Sequence, residues 1–416
     1  MRKKQIIISE MSAENTANGV FRYVEMLLEG IPSSFFELIH LRFIYHHSIK
    51  LPKQIVRNNL VEIIIPLPVS VNEYINNDYW RAEYNIVAAH MLEPYLKRNG
   101  IIHIQTTNLI DLAVYLRQLY NLKIVSHIHC IPWKYKYSSD PLRFNHIYNK
   151  INIEKKINNN DIKSFVVNDE YKISKESDAI ICVTNCAKEY YKKYLNVSND
   201  KLFCIYNGIC DEMTAPQKLE ETLSFHSDNR KPVRLLFVGG VTREKGFQYV
   251  LKALQIVKER GYDFELKVAG KIEREISALI ASEYTNLNID MLGLVSYTEL
   301  CTLYQSSHIG LVPSLFEQCS YVAIEMSMFG LPVLFSDIDE LHEVFSKETE
   351  MSIPVIFSLY TGISLDVSVF ADKIIQLMKS PELRKKIGKK LRDRYINYFG
   401  LNQMIQKTIN VYNNLY

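Results

Sequence analysis

The sequence predicts an α/β architecture, with two doubly wound, Rossmann-like sheets, one in each half of the chain. Short apolar runs recur without polar alternation, the pattern of parallel strands buried on both faces. Longer stretches with helical spacing separate them. Hydrophobic residues make up 47% of the chain and charged residues 23%, ordinary globular values that allow two sizeable cores.

In the first half the runs fall at 5–9, 61–66, 101–105, 123–128, 179–183 and 202–206. In the second half they fall at 234–238, 265–269, 289–292, 309–312 and 332–335. The stretch after residue 246 shows the helical period, with Val250, Leu251, Leu254 and Val257 on one face. A boundary is expected within 209–231. Thr214-Ala215-Pro216 through Ser227-Asp228-Asn229 is polar with no strong apolar period, and Asn207-Gly208 before it is a turn signal. The expected division is 1–210, 211–392 and a final helical segment, 393–416. Residues 133–174 interrupt the rhythm with Lys, Asn and Tyr. They read as a solvated insertion, or as an acceptor-recognition or membrane-touching element.

The net charge of +3 gives no support to nucleic-acid binding. The 7 cysteines include no Cys-x-x-Cys pair, so they read as small buried hydrophobes in a reducing compartment, not as zinc ligands. The N-terminal apolar run is too short for a signal peptide, and no stretch approaches the ~18–20 apolar residues of a membrane helix. A soluble, cytoplasmic protein is expected, with peripheral membrane contact left open.

Candidate chemistry centres on Glu317 and Glu325, at an expected strand-to-helix junction after Pro313-Ser314. If a helix starts near Ser320, its free N–H groups face the loop and can meet anionic groups. From Ser320 to Glu325 the helix rises ~7.5 Å, so the two glutamates span about the reach from a sugar ring to a ribose. Carboxylates suit both ends because they accept hydrogen bonds from vicinal hydroxyls. Two glutamates at this spacing are a weak signal by themselves.

Taken together with its context, the stretch resembles the Glu-x7-Glu motif of the family 4 retaining glycosyltransferases, which have the GT-B fold. Phe237-Val238-Gly239-Gly240 with Arg243-Glu244-Lys245-Gly246 resembles the family's donor-phosphate loop. Leu292-Gly293-Leu294-Val295 with Glu299-Leu300 resembles its base-binding strand end. Residues 177–184, Ile205-Tyr206-Asn207-Gly208 and Asn18-Gly19-Val20 resemble parts of its N-terminal domain, the last being the glycine-rich first loop. The matches run in the family's order along nearly the whole chain. The resemblance implies two Rossmann-like domains facing each other across a cleft, with the final helix crossing back to the first.

The resemblance also implies roles. Glu317 contacts hydroxyls of the transferred sugar, Glu325 the ribose, and Lys245 the diphosphate. His129 stands near the sugar C6 and the reaction centre. His127, two residues earlier, shares its sheet face and is the alternative. Gly19 allows backbone approach to phosphate, Val295 lies at the base, and Gln318, Cys319 and Ser320 line the sugar with their amides. The chain departs from the family at Gly240, where Arg is frequent, and Arg243 is the candidate replacement. It departs again at Gln318-Cys319-Ser320, where the family has Gly-Phe-Gly. Cys319 has no base placed beside it and is not read as a nucleophile. Asp337-Ile338-Asp339 spells a DxD, but it follows a strand where the family carries no metal site.

The implied reaction is retaining transfer of a hexose-type sugar from a UDP-, GDP- or ADP-sugar to a glycan, lipid-linked or peptide acceptor, without an essential metal. A non-catalytic glycosyltransferase-like subunit is the rival, and a GT-B epimerase or phosphorylase a more distant one.

Overall fold

The computed structural model describes residues 4–13, 19–45, 51–57, 60–67, 69–131, 163–229, 231–272, 274–358 and 362–416. They form two compact units. One contains the described residues up to Tyr206 together with Asn402–Tyr416, and the other runs over Asn207–Leu401.

The first unit holds an eight-stranded sheet: β1 (Lys4–Ala13), β2 (Phe36–Tyr45), β3 (Lys53–Arg57), β4 (Leu60–Leu67), β5 (Ile101–Ile104), β6 (Lys123–Ile128), β7 (Ala179–Cys182) and β8 (Leu202–Cys204). The spatial order is β3-β4-β2-β1-β5-β6-β7-β8. Every pairing is parallel except β3 with β4. Ile6, Ile7 and Ile8 of β1 are fully buried, as are all four residues of β5 and of β7. The absence of alternation in those runs is the consequence of helices covering both faces. β2 escaped that pattern because it carries His40 and Arg42, which share the buried carboxylate of Glu10. The last helix, Leu401–Asn414, buries Met404, Ile405, Thr408, Val411 and Tyr412. It lies so close to helix Gly19–Gly30 that a Cβ on Gly30 would stand 1.9 Å from Ile405 Cδ1.

The second unit holds β9 (Val233–Val238), β10 (Phe264–Ala269), β11 (Ile289–Gly293), β12 (Ile309–Val312), β13 (Val333–Ser336) and β14 (Ser352–Ile353). All are parallel, in the order β11-β10-β9-β12-β13-β14. This is the doubly wound order 3-2-1-4-5-6, which reverses direction between β9 and β12. A separate hairpin, β15 (Val355–Ser358) with β16 (Gly362–Leu365), follows.

The expected linker within 209–231 contains a helix, Pro216–His226. Pro216 begins it, where a missing N–H costs nothing. Polar bonds hold its far end. His226 contacts Ser307 O through Nδ1 at 2.6 Å and Phe329 O through Nε2 at 3.2 Å, and Arg384 Nε donates to His226 O at 2.7 Å. A helix fastened by polar contacts shows no apolar period. The 133–174 insertion lies outside the described residues as far as 162, and a helix runs from Lys163 to Glu176. Among the described residues no helix is long and apolar enough to cross a membrane.

Candidate active site

The carboxyl ends of β9 and β12 lie side by side at the point where the strand order reverses. In open α/β sheets ligands bind at such points. The loop after β9 carries Gly239, Gly240, Arg243 and Lys245, and the loop after β12 carries Ser314, Glu317, Gln318 and Cys319.

The two loops are fastened together. Leu315 N donates to Glu244 O at 2.8 Å. Gly246 adopts φ +73° beneath Pro313, where an added Cβ would stand 2.0 Å from the Pro313 carbonyl oxygen. No other residue permits both that backbone conformation and that approach. Lys245 Nζ then donates to Glu317 Oε1 at 2.5 Å, and Ser314 Oγ donates to the same oxygen at 2.9 Å. Both bonds fall on Oε1, which leaves Oε2 its lone pairs. The ammonium keeps two further N–H groups.

Asn207 pins the next residue. Its Nδ2 donates to Cys319 O at 2.8 Å and its backbone N to Cys319 Sγ at 3.4 Å. Gln318 is 7% exposed, and neither polar atom of its amide has a partner among the described residues. Ser320 caps helix Tyr321–Met328 by accepting from Ala323 N at 3.4 Å, so the helix begins where the sequence places it. Glu325 lies within that helix at 1% exposure and accepts from Tyr304 OH at 2.7 Å. Tyr304, stacked on Phe329 at 5.3 Å, is fully buried.

The ends of β9, β10 and β11 are laced through Gly239 N to Ala269 O (2.9 Å) and Gly270 N to Gly293 O (2.7 Å). Val295, half-buried, therefore follows the same edge of the sheet, two strands away from β9. Arg243 is exposed on the β9 loop. Asp337 of the DxD accepts from His342, and Asp339 opens helix Asp339–Phe345.

The first unit carries the remaining candidates. Gly19 is the exposed first residue of helix Gly19–Gly30, and the loop before it lies outside the described residues. His127 and His129 do share a face: their rings stack at 4.1 Å and 12°. His127 is buried and His129 half-buried. His129 Nε2 meets Gln105 Oε1 at 2.9 Å, His127 Nδ1 meets His103 Nε2 at 3.3 Å, and His103 Nδ1 meets Tyr412 OH at 2.6 Å. Burial pushes His103 and His129 down to about 3 and His127 well below its ordinary value. All three rings are neutral near pH 7.

Ser314, Tyr304, Asn207 and Gln105 were not among the candidates. Ser314 stands three residues before Glu317, the one local signal available. Tyr304 and Gln105 reach their partners only through the fold.

The family profile described as Glycosyltransferase Family 4 matches residues 17–212, and that described as Glycosyl transferases group 1 matches 220–394. Outside the two spans lie only 1–16, 213–219 and 395–416. An uncharacterized glycosyltransferase of Methanocaldococcus jannaschii is 30% identical over 187 residues, 43% of this chain and 47% of that one. The capsular polysaccharide biosynthesis glycosyltransferase CapM of Staphylococcus aureus is 25% identical over 61% of this chain and 63% of its own. The chain thus spans less than two thirds of the length of either relative. Among solved structures, sucrose-phosphate synthase from Thermosynechococcus elongatus superposes with a TM-score of 0.74 at 18% identity, covering 99% of both chains. Anabaena HepE in complex with UDP and glucose superposes at 0.68 and 10% identity, covering 99% of this chain and 100% of that one. These structural likenesses establish the fold, two Rossmann-like units of the GT-B type.

Proposed function

The chain belongs to the family 4-type glycosyltransferases, and on that footing we propose that it moves a hexose-type sugar, with retention, from a nucleoside diphosphate sugar to a glycan, lipid-linked or peptide acceptor. The observation that carries the reading is the meeting of Lys245 and Glu317 where the strand order reverses, with Glu325 on the helix that follows. Lys245 offers its remaining N–H groups to the diphosphate. Charge grows there as the bond from the sugar C1 to the phosphate oxygen breaks, and a fixed cation stabilises it. Arg243 adds charge from the same loop in place of the arginine missing at 240. Glu317 Oε2 accepts from hydroxyls of the sugar, and Glu325 binds the ribose. Gly19 lets backbone approach the phosphate, and Val295 borders the base. His129 stands at the reaction centre.

The acceptor oxygen bonds to C1 on the face the diphosphate leaves. Its proton passes to the departing phosphate oxygen, so the reaction needs no separate protein base. In this reading Lys245 supplies the charge that a metal supplies in other transferases.

A thermal-shift panel against UDP-, GDP-, ADP-, CMP- and TDP-sugars tests the reading. A donor at 100 times its dissociation constant adds roughly 2.7 kcal/mol of stability. One donor should raise the melting temperature of the wild type and not of Glu325→Gln. No shift with any donor would favour the rival, a non-catalytic subunit, for which the altered Gln318-Cys319-Ser320 loop and Gly240 speak.

A further inference from the structure

We propose that Gln105 is a positioning residue for His129: it fixes the ring proton on Nε2, so that His129 meets a substrate hydroxyl through Nδ1, as a hydrogen-bond acceptor. This rests on His129 standing at the reaction centre, as in the reading above.

Gln105 follows β5 directly and is 1% exposed. Its backbone N donates to Ser9 O at 2.9 Å, which ties it to the neighbouring strand β1. Its Oε1 lies 2.9 Å from His129 Nε2. An amide oxygen only accepts, so the ring nitrogen must be the donor. A neutral imidazole has one N–H, and Nδ1 therefore keeps its lone pair.

The ring is held from both sides. His127 stacks on it, and Tyr23 from helix Gly19–Gly30 meets it edge-on at 4.8 Å and 70°. The titratable groups around it are His127 beside it, His103 on β5, Tyr412 behind His103, and Tyr23. None is anionic near neutral pH, because burial lowers the histidines and raises both tyrosines. A carboxylate in place of the amide would instead favour the imidazolium, since an opposite charge stabilises the protonated ring. Gln105 thus accepts the ring proton without drawing a second proton onto the ring.

Ring-nitrogen NMR on the full-length chain with 15N-labelled histidine tests this without turnover. The His129 signals are identified by their loss in His129→Asn, and those of His40, on β2 of the same sheet, report an intact fold. In the wild type His129 should be the neutral Nε2–H form from about pH 5.5 to 8. In Gln105→Glu, which preserves shape, it should be protonated at about pH 6 and become neutral as pH rises. In Gln105→Leu both neutral tautomers should appear. With the donor found by thermal shift, Gln105→Glu should add an acidic limb to the kcat–pH profile that the wild type lacks. An Nδ1–H form in the wild type, or unchanged His129 signals in both Gln105 variants, would overturn the proposal. Those results concern Gln105 alone, whereas loss of all donor binding would count against the glycosyl-transfer reading.

Discussion

Lys245 and Glu317, 72 positions apart, meet through a 2.5 Å bond between Nζ and Oε1. They meet because β9 and β12 are neighbours in space, although β10 and β11 separate them in sequence. The bond pairs the residue proposed for the leaving group with the residue proposed for the sugar, so each holds the other in place before substrate arrives. Such preorganisation removes reorganisation from the reaction step.

Tyr304 gives the second glutamate the same support. Tyr304→Phe keeps the ring against Phe329 and removes only the hydroxyl bonded to Glu325. Hydrogen bonds to charged groups contribute ~1.5–3 kcal/mol, so donor KM should rise about tenfold while kcat holds. Steady-state kinetics over a donor series separate the two constants.

Gly246→Ala should break the joint between the two loops. Its Cβ would collide with the Pro313 carbonyl, and φ +73° disfavours any side chain. We expect a loss of ~1–3 kcal/mol, read as a lower urea midpoint, together with weaker donor binding.

Stability should increase with pH between about 4 and 6.5. His103, His129 and His226 have folded-state values below the ordinary 6.5, at about 3, 3 and 4. The unfolded chain therefore binds more protons in that window, and stability is lost as pH falls through it. Asp169, raised to about 6 by burial, opposes this with one proton. Urea midpoints at pH 4.5, 5.5, 6.5 and 7.5 should climb and then level, and His103→Gln should flatten the climb.

With Lys245 supplying the positive charge, turnover should survive EDTA unchanged. A rate that collapses in EDTA and returns with a divalent cation would contradict this.

Much of the architecture was legible in the sequence. The runs at 179–183 and 309–312 hold β7 and β12, because strands buried on both faces carry no polar interruption. β2 was not legible, since buried His40 and half-buried Arg42 interrupt it, and both are held by Glu10 on another strand. Helix Pro216–His226 was read as linker because polar bonds hold it. At the site, Glu317, Glu325 and Lys245 stood out through local spacing and family likeness. Asn207 read as a turn and as part of a family-like stretch, with no role at the site, yet it holds Cys319 across 112 positions. Tyr304 and Gln105 carry no charge pattern, and only the parallel packing brings each to its partner.

The most direct test is turnover of the stabilising donor, followed as nucleoside diphosphate release, in the wild type, Lys245→Met and Glu317→Gln. With both variants folded by circular dichroism, we predict that each loses on the order of 10²–10³ in kcat, the magnitude of removing one preorganised electrostatic contact. Wild-type rates in both variants would contradict the assignment of the chemistry to this pair.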